Sequence, residues 1–185
     1  DGDSDTSNII IDVRDDGPVI ADDNLGTIDE DSLNGGSVTV NGDLSEDFGG
    51  DGEGEITTAD IDGLTTGFQA TGLTGGTLTS GGETITVTST STGYVGTTTG
   101  GVVVFELNIT DQSTGAYEFT LHQPLDHADD GDNNSANDII SLNFGVEITD
   151  FDGDTDPATI TVNILDDGPS ARPSSRPGSS AQKRF

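Results

Sequence analysis

The chain has 185 residues, with 35 Asp plus Glu against five Lys plus Arg, a formal charge of −30 and no cysteine. That balance excludes an ordinary nucleic-acid surface, which has to be basic, and it removes disulfides and thiolate metal sites. No apolar run approaches membrane-spanning length and no basic, apolar leader opens the sequence, so neither membrane insertion nor a signal peptide is expected.

The acidic side is lopsided, with 27 Asp and 8 Glu. Solubility alone is served as well by Glu as by Asp. Short carboxylates in turns beside Gly and Asn suit Ca²⁺, which gathers oxygens at roughly 2.3–2.6 Å. A halophile-like surface or an acidic disordered segment is the plainer alternative, and the strand pattern below counts against disorder.

In chain order, Asp1-Gly2-Asp3-Ser4-Asp5 and Ile9-Ile10-Ile11-Asp12-Val13-Arg14-Asp15-Asp16-Gly17-Pro18 come first. They return as Asp152-Gly153-Asp154-Thr155-Asp156 and Ile160-Thr161-Val162-Asn163-Ile164-Leu165-Asp166-Asp167-Gly168-Pro169, every pair 151 positions apart. Residues 1–14 therefore read as the last strand of a preceding repeat and residues 15–169 as one β-sandwich unit of a tandem array. Residues 170–185 carry four basic residues and no acid; they read as a flexible tail foreign to the repeat. The unit is expected to be monomeric, but Asn8 to Val13 is apolar and its own sandwich is missing. It should be disordered or exchange onto the edge of another molecule.

Asp15-Asp16-Gly17-Pro18 marks a junction whose carboxylates can hold a cation between consecutive units, with Asp22, Asp23 or the group Asp29, Glu30 and Asp31 helping. The plainer reading is a polar turn. Ser37 to Val40 is the first strand of the unit. Gly49 to Glu55 faintly resembles the glycine-rich nonapeptide calcium repeat, but one imperfect copy cannot form a β-roll. Gly75-Gly76, Gly81-Gly82 and Gly100-Gly101 stand at hairpin turns, flanking a strand at Thr84 to Thr88. Thr84, Thr86, Thr88, Thr90 and Thr92 share one face, which reads as solvent-facing.

Val102 to Ile109, Ala116 to Leu121, Ile139 to Ile148 and Thr159 to Leu165 alternate apolar and polar residues, as half-buried strands do. Phe105, Leu107, Tyr117, Phe119, Leu121, Leu142, Phe144, Val146 and Ile148 are the expected core. His122 and His127 flank Pro124 without any nucleophile elbow or zinc-type spacing, and nothing selects a glycosidase carboxylate pair. The chain is not expected to be an enzyme.

Asp126, Asp129, Asp130, Asp132 and Asp138, with Asn133 and Asn134, form either a metal cluster or a plain loop. Asp150, Asp152, Asp154 and Asp156 recur at every second position around Gly153. A glycine-centred turn curls such a row so that its oxygens converge. This is the strongest calcium motif in the chain; it lacks the terminal Glu and the helices of an EF-hand. Asp166-Asp167-Gly168-Pro169 is the second junction. The expected fold is all-β, an Ig-like or cadherin-like antiparallel β-sandwich with calcium-binding loops, holding several Ca²⁺ ions.

Gly115-Ala116-Tyr117-Glu118-Phe119-Thr120-Leu121-His122-Gln123-Pro124-Leu125-Asp126-His127, then Leu142 to Ile148, the Asp150 to Asp154 motif and Asp166-Asp167-Gly168-Pro169 make the chain resemble a known repeat. It is the T1SS-143-type extender of type I secreted, repeats-in-toxin adhesins of Gram-negative bacteria. The resemblance implies an extracellular module on the bacterial surface, flanked by neighbouring repeats of the same polypeptide. It implies folding in external calcium, and a role in projecting a distal tip for attachment or biofilm formation. The alternative is a module that itself binds a glycan, a protein or ice.

Overall fold

The computed structural model describes residues 1–60, 63–73, 75–127 and 138–166. Among them the strands are β1 (Val19–Ile20), β2 (Asp23–Asp29), β3 (Val38–Asp43), β4 (Glu46–Asp47), β5 (Glu55–Thr58), β6 (Phe68–Thr71) and β7 (Thr79–Ser80). There follow β8 (Glu83–Thr90), β9 (Gly93–Thr98), β10 (Val103–Asp111), β11 (Ala116–Leu121), β12 (Ile139–Thr149) and β13 (Thr155–Leu165). Two short 3₁₀ turns, Glu30–Leu33 and Thr65–Gly67, interrupt them. No helix among the described residues is long and apolar enough to cross a membrane.

The strands form a sandwich. One sheet runs β3-β11-β10-β9-β8-β7; the other runs β2-β13-β12, with β5 and β6 pairing successive stretches of the far edge of β12. A short β1-β4 ribbon stands apart. The pairing is antiparallel except between β13 and β2, which run parallel from Ile160 opposite Asp23 to Leu165 opposite Asp29.

The period-2 pattern of the long strands explains the layers, because alternate side chains point to opposite faces. β12 buries Ile140, Leu142, Phe144, Val146 and Ile148; β13 buries Ala158, Ile160, Val162 and Ile164. Tyr94, Phe105, Leu107, Tyr117, Phe119 and Leu121 answer them from the other sheet. Phe144 sits among four rings, with centroids 5.2 Å from Phe68, 5.3 Å from Tyr94, 5.9 Å from Phe105 and 6.0 Å from Phe119. Burying one such side chain stabilises the fold by about 1.5–3 kcal/mol.

A polar tie crosses this apolar core. The Tyr94 hydroxyl, on β9, donates to the Gly145 carbonyl of β12 at 2.7 Å. Burial and the nearby charge of Asp60 push its pKa up to about 12, so it remains a donor. Gly96, one turn of the pleat further along β9, has no room for a Cβ: one would stand 2.5 Å from the Phe105 ring.

Every residue of the expected core is buried, and the threonine row along β8 and beyond faces solvent. Residues 1–17 join no strand, and Ile9, Ile10, Ile11 and Val13 expose 78–89% of their surface.

Candidate metal centre

Three segments meet at the end of the sandwich where β13 begins. The first is the lead-in Asp15–Gly17, the second is the glycine-rich loop between β4 and β5, and the third is the loop between β12 and β13. Gly50 N–H donates to Asp16 Oδ2 at 3.2 Å. Gly49, at φ +74°, lies so close to the lead-in that a Cβ would stand 2.3 Å from the Asp16 carbonyl oxygen. A side chain at Gly54 would meet the Thr149 carbonyl at 1.8 Å. Glycine at these two positions lets the β4–β5 loop lie against both neighbours.

The loop between β12 and β13 curls as its sequence predicts. Asp150 Oδ1 accepts from the backbone N–H groups of Gly153 (3.0 Å) and Asp154 (2.9 Å), and Asp150 N–H donates to the Asp154 carbonyl at 3.1 Å. Gly153, at φ +105°, makes the reversal. The result is a row of carboxylates on one side. Oxygens of Asp150, Asp152 and Asp154 lie within 4.8 Å of one another, and so do those of Asp15, Asp51 and Asp152. Asp152 belongs to both groups.

Two oxygens bound to one ion at about 2.4 Å are at most about 4.8 Å apart, so both groups are compact enough for calcium. Asp150 adds a stronger sign. The residue is only 4% exposed, and its second oxygen, Oδ2, is buried with no hydrogen-bond partner. A buried anionic oxygen left bare is costly, and a cation among these carboxylates would satisfy it.

The electrostatics agree. Sharing a proton with Asp150 raises the pKa of Asp152, as do desolvation and the charges of Asp150, Asp15 and Asp51. The charge of Asp15 is the main influence raising Asp154, followed by desolvation, a hydrogen bond from Asp15 and the charges of Asp150 and Asp51. Desolvation opposes ionisation of Asp150, but hydrogen bonds from Asp152, Gly153 and Asp154 outweigh it and hold that carboxyl below its usual range. These are the signs of negative charges crowded without a counter-charge.

A second group forms at the other end of β13. Ligand atoms of Glu30, His127 and Asp166 lie within 4.8 Å of one another. Glu30 is 2% exposed; its Oε1 accepts from Leu125 N–H at 2.8 Å and lies 3.3 Å from His127 Nε2. Burial is the largest influence on His127 and opposes its charge. The hydrogen bond and charge of Glu30, with Asp166 and Asp138, outweigh it and raise the pKa.

The remaining acids singled out by sequence take separate places. Asp22 accepts from Thr159 N–H at 2.8 Å, fastening β2 to β13. Asp23 Oδ2 accepts from the Tyr117 hydroxyl at 2.5 Å, and Asp29 caps the first 3₁₀ turn by accepting from Asp31 N–H. Asp31 is exposed. Asp126 accepts from Gly81 (2.9 Å) and Gly82 (2.8 Å), tying down the β7–β8 turn. Asp156, already within β13, accepts from Ile20 N–H at 3.0 Å. The Asp138 carbonyl accepts from Asp166 N–H at 3.1 Å. Asp129, Asp130, Asp132 and Asp167 lie outside the described residues.

Sequence reasoning set Asp51 aside with the imperfect calcium repeat at Gly49 to Glu55 and found no metal spacing for His127. The repeat offset adds one relation: Asp15 and Asp166 are counterparts 151 positions apart, and the structure puts the first in the centre at one end and the second in the group at the other.

No curated protein and no solved structure matched the chain. A family model described as a domain of unknown function, DUF5801, matches residues 22–164. That span takes in both sandwich sheets, Asp51, Asp150 to Asp154, Glu30 and His127, leaving the two junctions outside it. The chain belongs to the DUF5801 family.

Proposed function

We propose that the chain is a calcium-dependent structural extender of a large, type I secreted adhesin on the surface of a Gram-negative bacterium, one repeat in a tandem array. The observation that carries the reading is the bare, buried Asp150 oxygen inside a group of five carboxylates drawn from the lead-in and two loops. Calcium there offsets much of the crowded charge of Asp15, Asp51, Asp150, Asp152 and Asp154 and ties the lead-in to the body of the domain. The segment joining one repeat to the next then loses freedom, and the array extends to project a distal ligand-binding region for attachment or biofilm formation. The role is structural and involves no catalysis. Calcium at external concentrations stabilises the folded state by mass action. Where calcium is scarce, the same crowded carboxylates loosen it.

A ligand-binding module is the second reading. It is favoured by a cleft of about 360 Å³ lined by Glu30, Asp31, Leu33, His122, Gln123 and Pro124, among others. Thermal unfolding by circular dichroism, in calcium, in excess chelator and in magnesium, separates the two. The extender reading expects a large rise in melting temperature that magnesium does not reproduce. Indifference to calcium would leave an acidic sandwich and favour the cleft.

A further inference from the structure

We infer that Glu30, His127 and Asp166 form a second metal site, built for a divalent transition ion of the zinc class and not for calcium. The site stands at the far end of β13 from the first centre. Eleven residues of strand separate the two, roughly 35 Å at about 3.3 Å per residue.

Burial is the first argument. The Glu30 side chain is 0% and the His127 side chain 3% exposed. An acid seldom goes fully inside a protein without a cation or a strong partner. Glu30 is partnered by His127 and Leu125 N–H, and the neighbourhood brings further acid to the same imidazole, because Asp166 closes on the same point and the charge of Asp138 reaches it.

The imidazole is the second argument. His127 Nε2 faces Glu30 Oε1 at 3.3 Å, while Nδ1 is buried with no hydrogen-bond partner. An enclosed ring that presents one nitrogen to Glu30 and Asp166, with its other nitrogen not committed to a hydrogen bond, joins imidazole to carboxylates in a donor set for zinc-class ions. Calcium takes six to eight oxygens and gains little from imidazole. The first centre is all carboxylate and the second is mixed nitrogen and oxygen, so the two ends of one strand select different cations. Among the described residues three side chains supply ligands, one fewer than a tetrahedral ion takes.

The elements are arranged to hold these ligands in place. Glu30 opens the first 3₁₀ turn, whose amino end Asp29 caps. Asp166 follows directly on β13 and is fixed through its N–H to the Asp138 carbonyl. Leu125 N–H orients Glu30 Oε1, an outer hydrogen bond of the kind that supports metal ligands.

The test uses the whole chain in saturating calcium, titrated with Co²⁺ and followed by visible absorption, since cobalt with mixed nitrogen and oxygen ligands in tetrahedral geometry absorbs far more strongly than cobalt held by oxygens in an octahedron. The expected result is a saturable band that Zn²⁺ displaces and excess calcium does not. Asp166→Asn, half-buried at the strand end, should weaken cobalt binding at least tenfold, and so should His127→Gln, with circular dichroism confirming the fold of each. His122→Gln should leave the band unchanged. Asp150→Asn should also leave it unchanged, which keeps this inference separable from the calcium reading. The absence of a saturable band, a band lost with His122→Gln and kept with His127→Gln, or displacement by calcium would overturn the inference.

Discussion

Asp150→Asn tests the calcium centre most directly, because its two candidate roles give opposite results. The amide keeps Oδ1 as acceptor for Gly153 and Asp154 N–H, at 3.0 and 2.9 Å. It replaces only the bare, buried Oδ2. In chelator the variant keeps its turn but gives up a charge that its hydrogen bonds favour in the folded state, so its melting temperature should fall slightly below that of the parent. In calcium it has lost a buried ligand. An ion present at a hundred times its Kd contributes about 2.7 kcal/mol. For a domain of this size that corresponds to roughly 5–11 °C in melting temperature. A tenfold fall in affinity removes about half of that rise, and loss of the site removes all of it. Paired melting curves in calcium and in chelator measure the difference. If Asp150→Asn lowers both curves equally and preserves the calcium response, Asp150 only shapes the turn and the reasoning fails.

Three further outcomes follow from the same geometry. In chelator, acidification from about pH 8 should raise the melting temperature, first through His127 and then, nearer the carboxylate range, through Asp152 and Asp154, because all three have folded pKa values above their unfolded ones. Such groups contribute stability below the unfolded pKa and lose it as pH rises through the folded one; a flat or falling pH profile would refute the crowding. Below about pH 4 the trend should reverse, since Asp150, Asp126 and Asp111 are held below the usual carboxylate range by hydrogen bonds. Phe144→Ala removes the ring at the centre of the aromatic cluster and should cost about 3–5 kcal/mol, read as a drop in urea midpoint with calcium affinity little changed once folded. Gly54→Ala drives a methyl into the Thr149 carbonyl. It should displace the loop that carries Asp51, lowering calcium affinity in titration calorimetry along with stability.

The long strands were legible from sequence because each buries one full face. In β12 and β13 the apolar residues fall on alternate positions without a break from Ile140 to Ile148 and from Ala158 to Ile164. The short strands were not legible, since β1, β4 and β7 have two residues each and no periodicity can show in two. β2 was read as a ligand cluster because Asp-Asn-Leu-Gly-Thr-Ile-Asp carries turn chemistry; its only fully buried residue is Ile28, and pairing with β13 imposes its extended form. The row Asp150, Asp152, Asp154 could be read because its residues are two apart. Asp51 and Asp15 reach that row only through tertiary folding. His127 meets Glu30 across 97 residues of sequence, a separation at which no local motif speaks.

The parallel pairing of β2 with β13 decides how the domain answers a pull on its ends. The chain arrives beside the start of β13, where a Cβ on Gly17 would touch Asp154, and it departs after Leu165, level with Asp29. Tension therefore drags β2 and β13 past each other in opposite directions. The backbone bonds between them, interrupted by one register shift between Thr161 and Val162, lie across the pull and share it in shear. An antiparallel terminal pair pulled from the same end would peel one bond at a time. Resistance to force in this domain thus resides in a ladder of main-chain bonds. Even if chelation lowers its melting temperature, a domain built this way should yield only at high force in a single-molecule stretching trace.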